Sequence, residues 1–234
     1  WEDKHMSLTN ANKKLCDFVF NKCCFKKNTH ILDVGCGYGE QDIYWSMKNK
    51  HKITAIDISK KQIDFAKQKA NDLSMNNITF VEASATKLPF EDKTFSNIIC
   101  LESAFHYNPR KEFFKESYRV LKDESELVIA DIMLKNSHYG ILTSVLIKFF
   151  KELFSVPEEN LINTNDYVKQ LEDVGYKVER ISITDKTFKP YFINFAKTQN
   201  YQYNLLGLYN KGLNLIVNNI DLIPFEYYVF ICKK

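Results

Sequence analysis

The chain has no Cys-x-x-Cys pair, no apolar run long enough to span a bilayer and no block of lysine or arginine. Each absence removes a class of function. Its six cysteines are scattered in apolar company, which speaks against a disulfide framework or a zinc site and for buried free thiols in a reducing compartment. Without a spanning segment or a recognisable secretion signal, the expected location is cytoplasmic, with no stable membrane insertion. A net charge of only +3 is a poor electrostatic footprint for nucleic acid. Proline and glycine are scarce, at 5 and 7 residues, and three of the glycines fall within one short stretch. Hydrophobic residues make up 45% and charged residues 26%, the balance of a globular chain with a sizeable core.

Short apolar segments alternate with helical patterns from residue 29 to 132. THILDV, HKITAIDI, NITFVEA, TFSNIICLE and ELVIADI read as strands. Between them, Gln41–Lys48 reads as a helix, Ser59 caps SKKQIDFAKQKANDL, and NPRKEFFKESYRVLK begins with Pro109 in its first turn. This alternation predicts an α/β fold, a parallel sheet with helices on both faces. Ligands bind such sheets beyond the carboxyl ends of the strands. The strands read this way end at Asp33, Asp57, Glu82, Leu101-Glu102 and Asp131, so acids gather at the ligand end. Further along, 138–154 reads as an apolar helix interrupted by lysines, 163–174 as a capped helix, 176–184 as a strand, 188–220 as helical and FEYYVFICKK as a closing strand. With no repeat and no low-complexity linker, residues 1–234 read as a single domain with inserted helices.

The glycines sit in ILDVGCGYGEQ, at Gly35, Gly37 and Gly39. A strand, a glycine-rich turn and a helix bring backbone N–H groups and a helix N-terminus beside a ligand. The dinucleotide fingerprint is G-x-G-x-x-G; here the spacing is G-x-G-x-G, and Glu40 takes the third fingerprint position. An acid there repels a pyrophosphate, and Asp33 before the loop suits a cation. Asp57, ending the second strand, is placed to take two ribose hydroxyls. The ligand these residues describe is a nucleoside with a positive, amino-bearing tail.

Four segments in order, ILDVGCGYGE, ITAIDIS, FVEASATKLPFEDKTFSNII and FFKESYRVLKDESELVIADI, resemble the class I S-adenosylmethionine (SAM)-dependent methyltransferases from about Thr29 to Ile132. The resemblance is to the small-molecule branch, which includes natural-product sugar, quinone and tocopherol methyltransferases. It implies a Rossmann-like seven-stranded mixed sheet whose last strand, FEYYVFICKK, is antiparallel. It implies that Asp33, Gly35, Cys36 and Gly37 face the methionine part of SAM, that Asp57 holds the ribose and that Ile58 lies against adenine. ISKKQIDFA resembles a stretch that adds Ser59 and Gln62 to the cofactor contacts. Ser84 and Ala85 occupy the position of an Asp-Ala pair that reads the adenine amino group, with serine replacing the acid. Leu101 lines the pocket. KDES (122–125) departs from the family's Lys-Pro-Gly-Gly turn.

His106, in LESAFHYNP, and Asp131, in IAD, resemble the His and Asp proposed as catalytic in sugar O-methyltransferases. Histidine near neutral pH can take a proton from a hydroxyl, and a carboxylate beside it would stabilise the charged ring. Insertions at about 136–175 and 188–220 are expected to form a helical lid, with aromatics such as Tyr139, Phe149, Phe150 and Tyr191 serving mostly as core and partly as an apolar acceptor wall. The expected partner is a small-molecule methyl acceptor, lipophilic or aromatic, methylated on a hydroxyl or amine. The competing readings are an RNA or protein methyltransferase, an NAD-dependent oxidoreductase and a non-catalytic SAM-binding regulator.

Overall fold

Apolar segments buried on both faces pair into one sheet. In the computed structural model, which describes residues 7–26, 29–136, 138–188, 190 and 224–234, seven strands form it: β1 (His30–Val34), β2 (Lys52–Asp57), β3 (Ile78–Glu82), β4 (Phe95–Leu101), β5 (Leu121–Leu134), β6 (Lys177–Ser182) and β7 (Phe225–Lys233). Their order is β3-β2-β1-β4-β5-β7-β6. The first five run parallel, and β7 runs antiparallel between β5 and β6, as expected for FEYYVFICKK. The winding reverses between β1 and β4, so the crevice beyond their carboxyl ends is the ligand position of an open α/β sheet.

Helices cover both faces. α1 (Leu8–Phe20), α2 (Glu40–Lys48) and α3 (Lys60–Asp72) pack Phe20, Trp45 and Ala66 against one face. α4 (Arg110–Val120) and α6 (Thr164–Glu172) pack Phe113, Phe114 and Tyr167 against the other. Ser59 caps α3 and Asn163 caps α6 through their side chains. α5 (Ile141–Phe154) lies between β5 and α6 in sequence and sets Phe150 against Phe225 of β7, with ring centroids 4.0 Å apart.

Three expectations change. Pro109 is the N-cap of α4, just outside its first turn. β5 is longer than ELVIADI, because β7 pairs with it as far as Leu134↔Phe225; Asp131 therefore lies inside the strand, and its end is three residues further on. Residues 164–172, placed within the first expected insertion, form α6, whose Tyr167 is fully buried in the layer under the sheet. Residues 191–223, with most of the second expected insertion and Tyr191, lie outside the described residues, as does the side chain of Phe149.

The KDES departure has a cost. Glu124 adopts φ +54°, a left-handed conformation, at a position where the resembled family carries glycine. That conformation costs a side-chain-bearing residue about 1–2 kcal/mol, partly offset by glycine's greater freedom in the unfolded chain. Glu124→Gly should therefore stabilise the fold by roughly 0.5–1 kcal/mol, seen as a melting temperature about 1–4 °C higher. A lower melting temperature would mean that the Glu124 side chain contributes more than the strain costs.

Candidate active site

The glycine loop turns its donors inward. Gly35 and Cys36 both donate their N–H to the Ile56 carbonyl, at 2.8 and 2.9 Å, and Gly39 donates to Cys36 at 3.0 Å. Gly37 donates to Asp57 Oδ2 at 3.0 Å. The sequence suggests a loop that offers its amides to the ligand; instead these four are committed to β2 and to the loop itself, which disfavours a phosphate. Glu40, read as the group that repels a pyrophosphate, pairs with Lys69 of α3. The discrimination against a dinucleotide thus rests on the committed amides and on Asp33.

Each glycine answers a different neighbour. A Cβ on Gly35 would lie 2.4 Å from Ser103 Oγ and 2.6 Å from the Tyr107 hydroxyl. Both hydroxyls donate to the Val34 carbonyl, at 2.9 and 3.0 Å, binding the loop after β4 to the end of β1. Gly39, with φ +71°, sits 2.6 Å in the same sense from the Phe80 ring. Gly37, with φ +55°, meets among the described residues only Gln62 Nε2, at 4.0 Å, so its free side there is open to a ligand.

Asp33 is fully buried; its Oδ2 accepts from Gln41 Nε2 at 3.0 Å, and its Oδ1 has no partner. Burial lifts its pKa to about 7 against the pull of Gln41 and Asp42. Asp57 is half-buried, its two oxygens accepting from the Gly37 and Ser59 amides, and each keeps a further acceptor position. Ile58, beside it, is 74% exposed, an apolar surface left open among the described residues. Gln62 stands over Gly37. The Ser84 hydroxyl lies 2.9 Å from that of Thr86 and accepts from the Thr86 amide, serving its own turn. Ala85 and Leu101 are half-buried, each beside one of the two cores. Cys36 is buried, and burial followed by Asp42 and Asp33 keeps its thiol protonated, so it is no nucleophile. Glu102, after β4, is open to solvent on one side and surrounded by protein on the others; burial raises its pKa, and Tyr227 donates to it at 2.9 Å.

His106 ends a 3₁₀ turn, Ala104–His106, beyond β4. Its ring is open to solvent on one side and enclosed by protein on the other, packs against Phe105 at 4.1 Å and lies beside the Ser155 carbonyl. Asn160 Nδ2 donates to the carbonyls of both flanking residues, Phe105 at 3.0 Å and Tyr107 at 2.8 Å. Asp131 sits differently from the expectation of a carboxylate paired with His106. It is fully buried, accepts from Tyr167 at 2.9 Å and from the Ile132 amide at 2.9 Å, and faces Arg110 at 3.9 Å. The Phe105 amide lies close enough to act on its charge, which places Asp131 beneath the turn that carries His106. Sequence reasoning missed Asn160, Ser155 and Asp42; of these only Asp42 left a signal, an acid three residues before the buried Trp45 on the same helix face.

A buried acid with an unpaired oxygen, an open glycine flank, an acid with spare acceptors and an exposed apolar side chain next to it fit the ammonium, backbone, ribose and adenine of an adenosyl amino acid. Residues 32–129 match the Methyltransferase domain family. An O-methyltransferase, rstn1, of Aspergillus nomiae is 30% identical over 188 residues, covering 79% of this chain and 80% of that protein. An erythromycin 3''-O-methyltransferase of Saccharopolyspora erythraea is 30% identical over 208 residues, which cover 82% of this chain but only 65% of that protein. A solved structure of a geranyl diphosphate methyltransferase in complex with SAM shares the fold with a TM-score of 0.81 at 17% identity, covering 97% of this chain and 86% of that one. The chain belongs to the class I SAM-dependent methyltransferases, and SAM is the cofactor its site fits. Among the described residues no helix is long and apolar enough to cross a membrane.

The two glycine environments predict different defects. Gly39→Ala drives a Cβ into Phe80 and should destabilise the fold by roughly 2 kcal/mol or more, through overpacking added to φ strain. Gly37→Ala carries only the strain, about 1–2 kcal/mol, but places a methyl on the ligand side and should weaken SAM binding about tenfold or more. Thermal melts and calorimetric titration of both variants separate the two; equal SAM affinity in Gly37→Ala and wild type would remove the open flank from the site.

Proposed function

We propose that this chain, acting as a single domain over residues 1–234, transfers a methyl group from SAM to a hydroxyl or amine of a small-molecule metabolite, with His106 as general base for a hydroxyl acceptor. When bound, SAM supplies a methyl carbon on a sulfonium leaving group, so the protein's work is alignment and removal of the acceptor's proton. The observation that carries the reading is the hold on His106. The Ser155 carbonyl lies beside the ring, and an imidazole that turns one N–H toward it keeps the other nitrogen as a proton acceptor. Burial lowers the ring's pKa below its usual 6.5, which keeps it neutral, the form a base needs, at pH 7.

Asp131 acts as a positioning residue, fixing the His106 turn from beneath through the Phe105 amide. Asn160 fixes the same turn from the inserted side. Phe105, Ile132, Phe150, Leu161 and Phe225 line an apolar gap of about 10 Å³ beside the turn, room for no more than a water; the lipophilic or aromatic acceptor is proposed from the apolar character of these residues alone. The relatives named above, both O-methyltransferases, support an oxygen acceptor.

A screen of lipophilic alcohols, phenols and glycosides, read as S-adenosylhomocysteine release, tests the activity. On an acceptor found this way, His106→Gln should lower kcat by roughly 10²–10⁴-fold while SAM affinity stays close to wild type. Wild-type turnover by that variant would place the base elsewhere. Because burial depresses the His106 pKa, activity should persist as pH falls to 6.5 and decline only below it, as the ring takes up a proton. Asn160→Ala unpairs two carbonyls and frees the turn; the His106 pKa, followed by NMR, should then rise toward 6.5, with kcat falling about tenfold or more. An unchanged titration would show that Asn160 does not position the ring.

A further inference from the structure

Asp33 on β1 and Asp42 in the first turn of α2 are both fully buried. Among the described residues, only Asp33 Oδ2 of their four carboxylate oxygens takes a hydrogen bond from a side-chain donor, Gln41; Asp33 Oδ1 and both oxygens of Asp42 have none. The two carboxyls lie within hydrogen-bonding reach of each other, with weaker help from the Val34 and Asp42 amides. One carboxyl can fill another's acceptor only by carrying a proton, and two bare carboxylates in a site without water repel each other.

Among the described residues the main charged influence on the pair is acidic: Asp57 on β2 adds negative field at Asp33, and the leading groups acting on either acid include no lysine or arginine. Cys16 of α1, which senses Glu102 and Asp17 as well, and Cys36 of the glycine loop feel the charge of both acids; Cys100 of β4 and the Tyr107 phenol feel that of Asp33, and burial keeps all four protonated. An acid in a first helical turn ordinarily faces solvent and answers the helix dipole; Asp42 instead shares the buried face of α2 with Ile43 and Trp45.

We propose that Asp33 and Asp42 hold one proton between them in the cofactor-free protein, and that binding the ammonium of the methionine moiety at Asp33 expels this proton to solvent. One carboxyl O–H bond is broken, the proton passes to the buffer and the ammonium N–H takes its place as donor. Asp42 is then a positioning residue for Asp33, and protons compete with SAM for the same acid. Affinity falls as pH falls, by up to about tenfold per unit where the linkage is complete. The inference does not depend on His106 being the base.

The test is calorimetric titration of the full chain with SAM and with S-adenosylhomocysteine, in buffers of different ionisation enthalpy. The range is about pH 5.5 to 7, below the titration of the ligand's own amino group near 8. Wild type should release a large fraction of one proton with either ligand, since both carry the ammonium. Asp42→Asn gives Asp33 an amide donor; proton release should fall to near zero and affinity should become flat with pH. His106→Gln should release as much as wild type, which separates this result from the fate of the base. Should Asp42→Asn fail to fold, Asp33→Asn serves in its place, with release lost and binding weakened at every pH. No net release by wild type, or undiminished release by either acid variant, overturns the proposal.

Discussion

The Ile56 carbonyl and the Asp57 carboxylate, at the end of β2, capture three successive amides of the glycine loop: Gly35, Cys36 and Gly37. The rest of the site depends on that capture. The parallel register of β1 on β2, with Val34 opposite Ile56, delivers the carbonyl to the first turn of the loop. With its amides spent, the loop offers a ligand the open flank of Gly37, and the polarity around it comes from acids. A phosphate meets committed donors and Asp33; a cationic amino acid tail meets an unpaired carboxyl oxygen. The same Asp57 that organises the loop keeps acceptor capacity for a sugar, so building the cleft and binding in it are done by one side chain.

A second set of bonds joins this end of the cleft to the acceptor end. Ser103 and Tyr107 both reach the Val34 carbonyl, which only the missing side chain of Gly35 permits. They bracket the turn that ends at His106; Asn160 holds its flanking carbonyls from the segment after α5, and Asp131 of β5 lies beneath it near the Phe105 amide. The ring is therefore placed by backbone contacts from β4, β5 and the segment after α5, an arrangement suited to holding a reacting group in a fixed geometry.

Much of this was readable in advance. Apolar segments and their acids located β1, β2 and β4, with Asp33 one residue before the end of β1 and Asp57 at the end of β2. The failures share a cause: they concern side chains whose partners are remote in sequence. Asp131 reads as a strand end because nothing local shows that β7, about a hundred residues later, extends the pairing to Leu134. Glu40 reads as facing the loop because its partner Lys69 is on another helix. Asn160 lies 53 residues beyond the Tyr107 carbonyl it holds and carries no motif. Asp42 was the exception, legible as an acid on an apolar helix face but easily taken for an ordinary first-turn acid.

The central claim is that this loop is built for an adenosyl amino acid and against a pyrophosphate. Its most direct test is parallel calorimetric titration of the purified chain with SAM, S-adenosylhomocysteine and NAD, with Asp57→Ala as control. Binding of the two adenosyl ligands and not of NAD, lost or much weakened in the variant, is the result this account predicts. Binding of NAD in place of both adenosyl ligands would contradict it, and the roles given to Asp33, Asp57 and His106 would fall with it.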